Sequence, residues 1–158
     1  MSEIRVVAEA PVGAPPERVY RLIADYQRHH PNFLPPAFSD VVVEQGGVGA
    51  GTVFSMKMTA FGRTTQSRMQ VTEPEPGRVL VESDADPTSD LHTIFTVEPD
   101  GGASRVRFDT RWHPKPGVAG LMERLFAPRF LRGVYADELR RLDAYARQQV
   151  AAPEPVAG

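Results

Sequence analysis

A chain of 158 residues falls within the range of one domain, and a globule of that size buries roughly two thirds of the surface its unfolded chain exposes. Its 18 Lys and Arg balance 20 Asp and Glu, and 41% of its residues are apolar, which argues against disorder and against a polyanion-binding surface. The absence of Cys removes disulfides, thiolate nucleophiles and thiolate metal sites, and no stretch approaches the roughly 20 apolar residues that span a bilayer.

No basic region followed by an apolar core opens the chain, so a soluble, cytoplasmic protein is expected. Residues 4–10 are short and β-branched and end at a proline cluster, which predicts a first strand. Pro16 suits the first turn of a helix, because its fixed φ is helical and its missing N–H costs nothing there. Val19, Leu22, Ile23 and Tyr26 then make one apolar helical face. Pro31, Pro35 and Pro36 forbid a long helix, so residues 27–38 are expected to hold one short helical turn and an extended exit.

Beyond Phe38 the period changes from 3.6 to 2. Strands are predicted over residues 40–45, 52–60, 63–73, 78–83, 90–98 and 104–113, separated by short breaks rich in Gly, Pro and Asp. Such breaks leave no room for parallel crossovers, so the sheet is expected to be antiparallel. On the last strand Val106, Phe108, Thr110 and Trp112 alternate against Arg105, Arg107, Asp109 and Arg111, a dry face and a wet one. The same division places Leu91, Thr93, Phe95 and Val97 inward, with Thr52, Phe54, Met56 and Met58, and Thr65, Ser67, Met69 and Val71, on two earlier strands.

A helical pattern covers residues 118–149, carried by Leu121, Met122, Leu125, Phe126, Leu131, Tyr135, Leu139, Leu142 and Ala146. Pro128 is expected to kink this helix without ending it, since the pattern is strong on both sides. Residues 1–150 read as one ligand-binding domain and residues 151–158, with two prolines, as a disordered tail.

Three local matches carry a family resemblance over nearly the whole chain. They are Ala14-Pro15-Pro16-Glu17-Arg18-Val19-Tyr20 leading into the first helix, the turn Gly47-Val48-Gly49-Ala50-Gly51-Thr52, and the turn Pro99-Asp100-Gly101-Gly102 between paired strands. With them the chain resembles the polyketide cyclase/dehydrase branch of the START-related, Bet v 1-like (SRPBCC) superfamily. The resemblance implies an α+β helix-grip fold: a curved seven-stranded antiparallel sheet wrapped around a long C-terminal helix, with two short helices after the first strand. Pro31-Asn32-Phe33-Leu34-Pro35 also resembles coenzyme Q-binding members. None of these is a catalytic motif, so they speak to architecture more than to activity.

The fold so implied carries a cavity between the sheet and the last helix, where other members hold lipids, sterols, polyketides or quinones. The residues expected at it are Tyr26, His30, Phe33, Phe54, Met56, Met58, Ser67, Met69, Thr93, Phe95, Phe108, Thr110, Trp112, Met122, Leu125 and Phe126. Aromatic and thioether side chains adapt to an apolar guest, yet the same residues would also serve as an ordinary core. Inward hydroxyls need a partner, whether ligand, water or nearby backbone.

The inward sets contain no Asp, Glu, Lys or His, which points to binding over acid–base chemistry. Tyr26, His29 and His30 after the first helix and His113 at the end of the last strand are expected at the entrance, the adjacent histidines mostly in solvent with at most one facing the cavity, and His92 is expected outward beside Arg107. The leading expectation is therefore a carrier or sensor of an apolar, aromatic, lipid-like or polyketide-like molecule. An aromatase/cyclase-type enzyme is the alternative, and a quinone-binding accessory protein is a further one.

Gly47, Gly49 and Gly51 lack the spacing and the following helix of a phosphate loop. Glu82, Asp84, Asp86 and Asp90 lack the EF-hand pattern and read as a solvated turn. Arg129, Arg132, Arg140 and Arg141 with Asp137, Glu138 and Asp143 read as the wet face of the last helix. No cofactor, metal or nucleic acid is implied, and a monomer or a homodimer is equally compatible.

Overall fold

The computed structural model describes residues 2–151; the tail expected to be disordered lies outside them, apart from the helical backbone of Ala151. In chain order the elements are β1 (Ile4–Val12), α1 (Pro16–Ala24), a 3-10 turn (His30–Phe33), β2 (Phe38–Gln45), β3 (Val53–Ala60), β4 (Arg63–Glu75), β5 (Val79–Asp84), β6 (His92–Asp100), β7 (Ala103–Trp112) and α2 (Val118–Ala151). Pro16 stands in the first turn of α1, where its ring costs no hydrogen bond. α2 continues through Pro128, as the apolar pattern on both sides of it requires.

The strands form one antiparallel sheet in the order β1-β7-β6-β5-β4-β3-β2, so β1 and β2 are its edges. β1 lies beside β7 with Ile4 opposite Trp112 and Val12 opposite Ser104. α2 packs along β1, and α1 reaches β6, β7 and α2. Val6, Val19, Ile23, Val106, Phe108 and Leu142 are wholly enclosed between these layers, each removal from water being worth about 1.5–3 kcal/mol.

Two readings of the outer face are corrected. Asp109 is buried although it points to the convex side, because Arg5 and Arg111 lie over its carboxyl and each donates a pair of bonds to it. His92 stands opposite Arg111, while Arg107 faces Thr96, so the pairing is shifted by four residues along β7.

The joint between α1 and the sheet is built by the glycine-rich turn. Tyr26 N–H donates to the Gly47 carbonyl at 2.8 Å and Gly49 N–H to the Ala24 carbonyl at 2.9 Å. Glu73 on β4 accepts the Ala50 N–H at 2.7 Å and the Tyr20 hydroxyl at 2.5 Å. The chain's own carboxylate thus occupies the place an anion would take at this turn.

Candidate functional site

A cavity of about 530 Å³ lies between the concave face of the sheet and α2. β3 contributes Phe54, Met56 and Met58, and β4 contributes Thr65, Ser67 and Met69. Thr93 and Phe95 come from β6, and Thr110 and Trp112 from β7. Tyr26, His30 and Leu34 close one end from the segment after α1, while α2 supplies Met122, Glu123, Phe126, Leu131, Tyr135 and Glu138. Burial grades along this space. Tyr26, His30, Glu82 and Glu138 at the deep end are 2%, 4%, 7% and 3% exposed, against 71% for Phe61 and 49% for Phe126 at the mouth.

Thirteen of the residues expected at the chamber line it, and Phe33, Phe108 and Leu125 do not. Phe33 lies behind His30, their rings 4.7 Å apart, and faces Tyr145 on its other side. Phe108 is fully enclosed beneath Phe95 and Tyr135, at 4.8 and 5.7 Å, and belongs to the packed core. Leu125 is exposed because Leu121 and Leu125 form one helical stripe and Met122 and Phe126 the next, and only the second stripe turns toward the cavity.

The deep end differs most from expectation, for it holds titratable groups. Glu82 follows Leu80 on the inward face of β5, buried instead of lying in a solvated turn. Tyr26, expected at the entrance, is buried at this deep end, and its hydroxyl donates to Glu82 Oε1 at 2.6 Å. Burial pushes the Glu82 carboxyl up to about 7, against the lowering effect of that bond. Glu138, buried rather than wet, is held well above the usual carboxylate range, first by burial and then by the charge of Glu82.

His30 is enclosed and not solvated. Its Nδ1 lies 2.6 Å from the Ile23 carbonyl, which only accepts, so Nδ1 carries the hydrogen and Nε2 the lone pair. Burial lowers this imidazole to about 4, and Nε2 faces Glu82 Oε1 at 4.0 Å. His29, also buried, turns away from the cavity to the Tyr145 hydroxyl at 2.7 Å. His113 is exposed and binds Asp90, with 2.5 Å between Nδ1 and Oδ2.

The hydroxyls of Thr93 and Thr110 are satisfied by side chains, neither ligand, water nor backbone. Thr93 and Thr110 lie 2.7 Å apart, and Thr110 lies 2.7 Å from the Tyr135 hydroxyl. Burial pushes Tyr135 up to about 12. At the other end the Trp112 indole N–H donates to Glu123 Oε1 at 2.7 Å, tying the last strand to the first turns of α2.

Sequence reasoning missed Glu82, Glu123, Tyr135 and Glu138 as lining residues. β5 offered no phase, since Val79 and Val81 are as apolar as Leu80. For Glu138 a signal existed: Leu131, Tyr135, Glu138 and Leu142 are spaced by four, three and four, which puts the carboxyl in the buried stripe. Among the described residues no group of three or more His, Cys, Asp or Glu could hold a metal ion. No helix among them is long and apolar enough to cross a membrane.

The family described as polyketide cyclase/dehydrase and lipid transport matches residues 3–147. The KanY protein, solved by NMR in solution, is 32% identical with a TM-score of 0.80, over 93% of this chain and 99% of that one. The Zhui aromatase/cyclase from Streptomyces sp. R1128 has a TM-score of 0.78 at 14% identity, over 98% of this chain and 100% of that one. The crystal structure of Ara h 8.0201 has a TM-score of 0.62 at 13% identity, over 93% of this chain and 99% of that one. The last two likenesses bear on fold alone, and with the seven-stranded sheet and long last helix they place the architecture among helix-grip, Bet v 1-like structures. No curated protein matches the chain.

Proposed function

The chain belongs to the polyketide cyclase/dehydrase and lipid transport family, and on that premise we propose that its chamber binds an apolar small molecule, aromatic, lipid-like or polyketide-like, as a carrier or sensor. The observation that carries this reading is the cavity of about 530 Å³, walled mainly by apolar side chains, many of them aromatic or thioether, and graded from a buried end to an exposed mouth. An interior otherwise closely packed leaves contacts unmade around such a space, and a guest restores them.

Native mass spectrometry of the freshly purified chain tests the proposal together with thermal unfolding against a panel of fatty acids, naphthols and anthraquinones. A retained mass, or a stabilisation that grows with concentration, is the expected result; at a hundred times Kd it amounts to about 2.7 kcal/mol. No retained mass and no shift with any compound would overturn the reading.

A second reading has one observation in its favour: Glu82, Tyr26 and His30 put proton-transfer groups inside the enclosed space. An aromatase/cyclase-type reaction needs a group that holds and releases a proton near neutrality, and Glu82 at about 7 meets that requirement. Tyr26 would orient the carboxyl, and the chamber would bring the reacting carbons of a poly-β-keto chain together. Glu82→Gln is expected to slow turnover of a poly-β-keto thioester by about a hundredfold. Unchanged turnover would remove this reading and leave the binding one standing.

A further inference from the structure

Donors and acceptors at the deep end of the chamber are unevenly spent. Tyr26 gives its O–H to Glu82, His30 gives its Nδ1–H to the Ile23 carbonyl, and the hydroxyls of Thr93, Thr110 and Tyr135 bond to one another. Two bonds among three hydroxyls leave one O–H over, and the rest of what remains are acceptors: the Nε2 lone pair of His30, the second oxygen of Glu82, and the whole carboxyl of Glu138, which has no hydrogen-bond partner among the described residues. Among the described residues no fully enclosed side-chain polar atom lacks a partner, so these unbonded oxygens open onto the cavity.

Charge is as unbalanced as hydrogen bonding. The cation that lines the chamber is Arg63, an exposed residue, whereas the two carboxyls lie at the buried end without a positive partner. Carboxyls shut away from water are costly unless a cation or a hydrogen-bond donor meets them. A protonated amine supplies both, with up to three N–H groups for acceptors on Glu82, Glu138 and His30. A ligand carbonyl finds there only the one hydroxyl proton left over from the Thr93, Thr110 and Tyr135 chain and a proton borne by a carboxyl itself.

We propose that the chamber takes an aromatic ligand carrying one basic nitrogen, and that Glu82 and Glu138 receive that nitrogen at the buried end. This rests on the reading of the chamber as a small-molecule site and names the class of guest.

The pH dependence follows from the groups that surround the pair. The segment after α1 presents Tyr26 and His30, and α2 presents Tyr135 beside Glu138 with Glu123 nearer the mouth. β4 adds Arg63 at the mouth with Thr65 and Ser67, and β6 and β7 contribute Thr93 and Thr110. An alkylamine stays protonated to about pH 10, so below the raised carboxyl values it must displace protons to bind, and its affinity rises with pH.

Isothermal calorimetry of the full chain with naphthylethylamine, naphthylethanol and acetylnaphthalene, at about pH 5.5 and about pH 8, reads this directly. The amine is expected to bind at least about tenfold more tightly than the alcohol at the higher pH, with a smaller advantage at the lower. Glu82→Gln and Glu138→Gln are each expected to cut that amine-to-alcohol ratio by about threefold or more, in variants whose cooperative thermal unfolding shows them folded. Equal binding of amine and alcohol overturns the proposal while sustaining the chamber reading. Acetylnaphthalene binding tightest at low pH also overturns it, since the pair would then act as neutral donors. If none of the three binds and mass spectrometry finds nothing retained, both readings fail together.

Discussion

Glu82 shows how one side chain links burial to pH. Its carboxyl is 7% exposed and sits near 7 instead of 4.5, so the folded state holds a proton that the unfolded chain has released. Such a group favours folding below about pH 4.5, and the contribution is lost as pH rises through about 7. His30 acts in the opposite direction, because its value falls from 6.5 to about 4 and its contribution is lost as pH drops through that interval. Glu82→Gln removes the first effect and leaves the second. Urea unfolding should therefore show the variant gaining on the parent by something on the order of 2 kcal/mol between about pH 4 and about pH 8. A difference that stays flat with pH would contradict the burial argument. Asp109 follows the ordinary carboxylate rule, held well below its usual value first by Arg111 and then by Arg5, so its contribution is lost toward low pH.

At the scale of elements, the α1 joint turns on Gly49, whose φ of +67° strains any other residue and whose absent Cβ would collide with Glu73. An alanine there displaces the carboxylate that holds the Ala50 N–H and the Tyr20 hydroxyl. Gly49→Ala is expected to cost about 2–3 kcal/mol, the strain plus two loosened hydrogen bonds. Gly51 also has a positive φ, +89°, but a Cβ there meets nothing within 4 Å, so Gly51→Ala should cost only about 1 kcal/mol. Denaturant midpoints of the two variants decide it, and equal losses would mean that Glu73 is not the element's anchor. α2 is likewise two elements in one. Beyond Pro128 its stripe of Leu131, Tyr135, Leu139, Leu142 and Ala146 is buried, whereas Val118, Leu121 and Leu125 before it face outward.

Across the whole molecule, the enclosed space is a departure from close packing that the surrounding core must tolerate. Phe108 and Leu142 are wholly enclosed while Met56 and Ser67 remain at the wall of the space, so the core and the chamber can be altered separately. Ser67→Trp would fill the chamber from β4, and it is expected to leave the circular dichroism spectrum unchanged while abolishing ligand-induced stabilisation. Retained stabilisation in that variant would place the guest elsewhere. The order of elements, the antiparallel pairing and the inward faces of β3, β4, β6 and β7 were legible in the residues, because turn chemistry and a period of two are properties of neighbours along the chain. Trp112 could be placed at the cavity on the same local ground, whereas Tyr26, expected at the entrance, lies at the deep end. Burial of Glu82, of His30 and of Glu138 was decided only by tertiary structure, as was the choice between the Leu121 and Met122 stripes. Local periodicity states which side chains share a direction; how far apart the opposing layers stand, and what they leave unfilled, depends on residues distant in sequence that meet only when the sheet curls around α2.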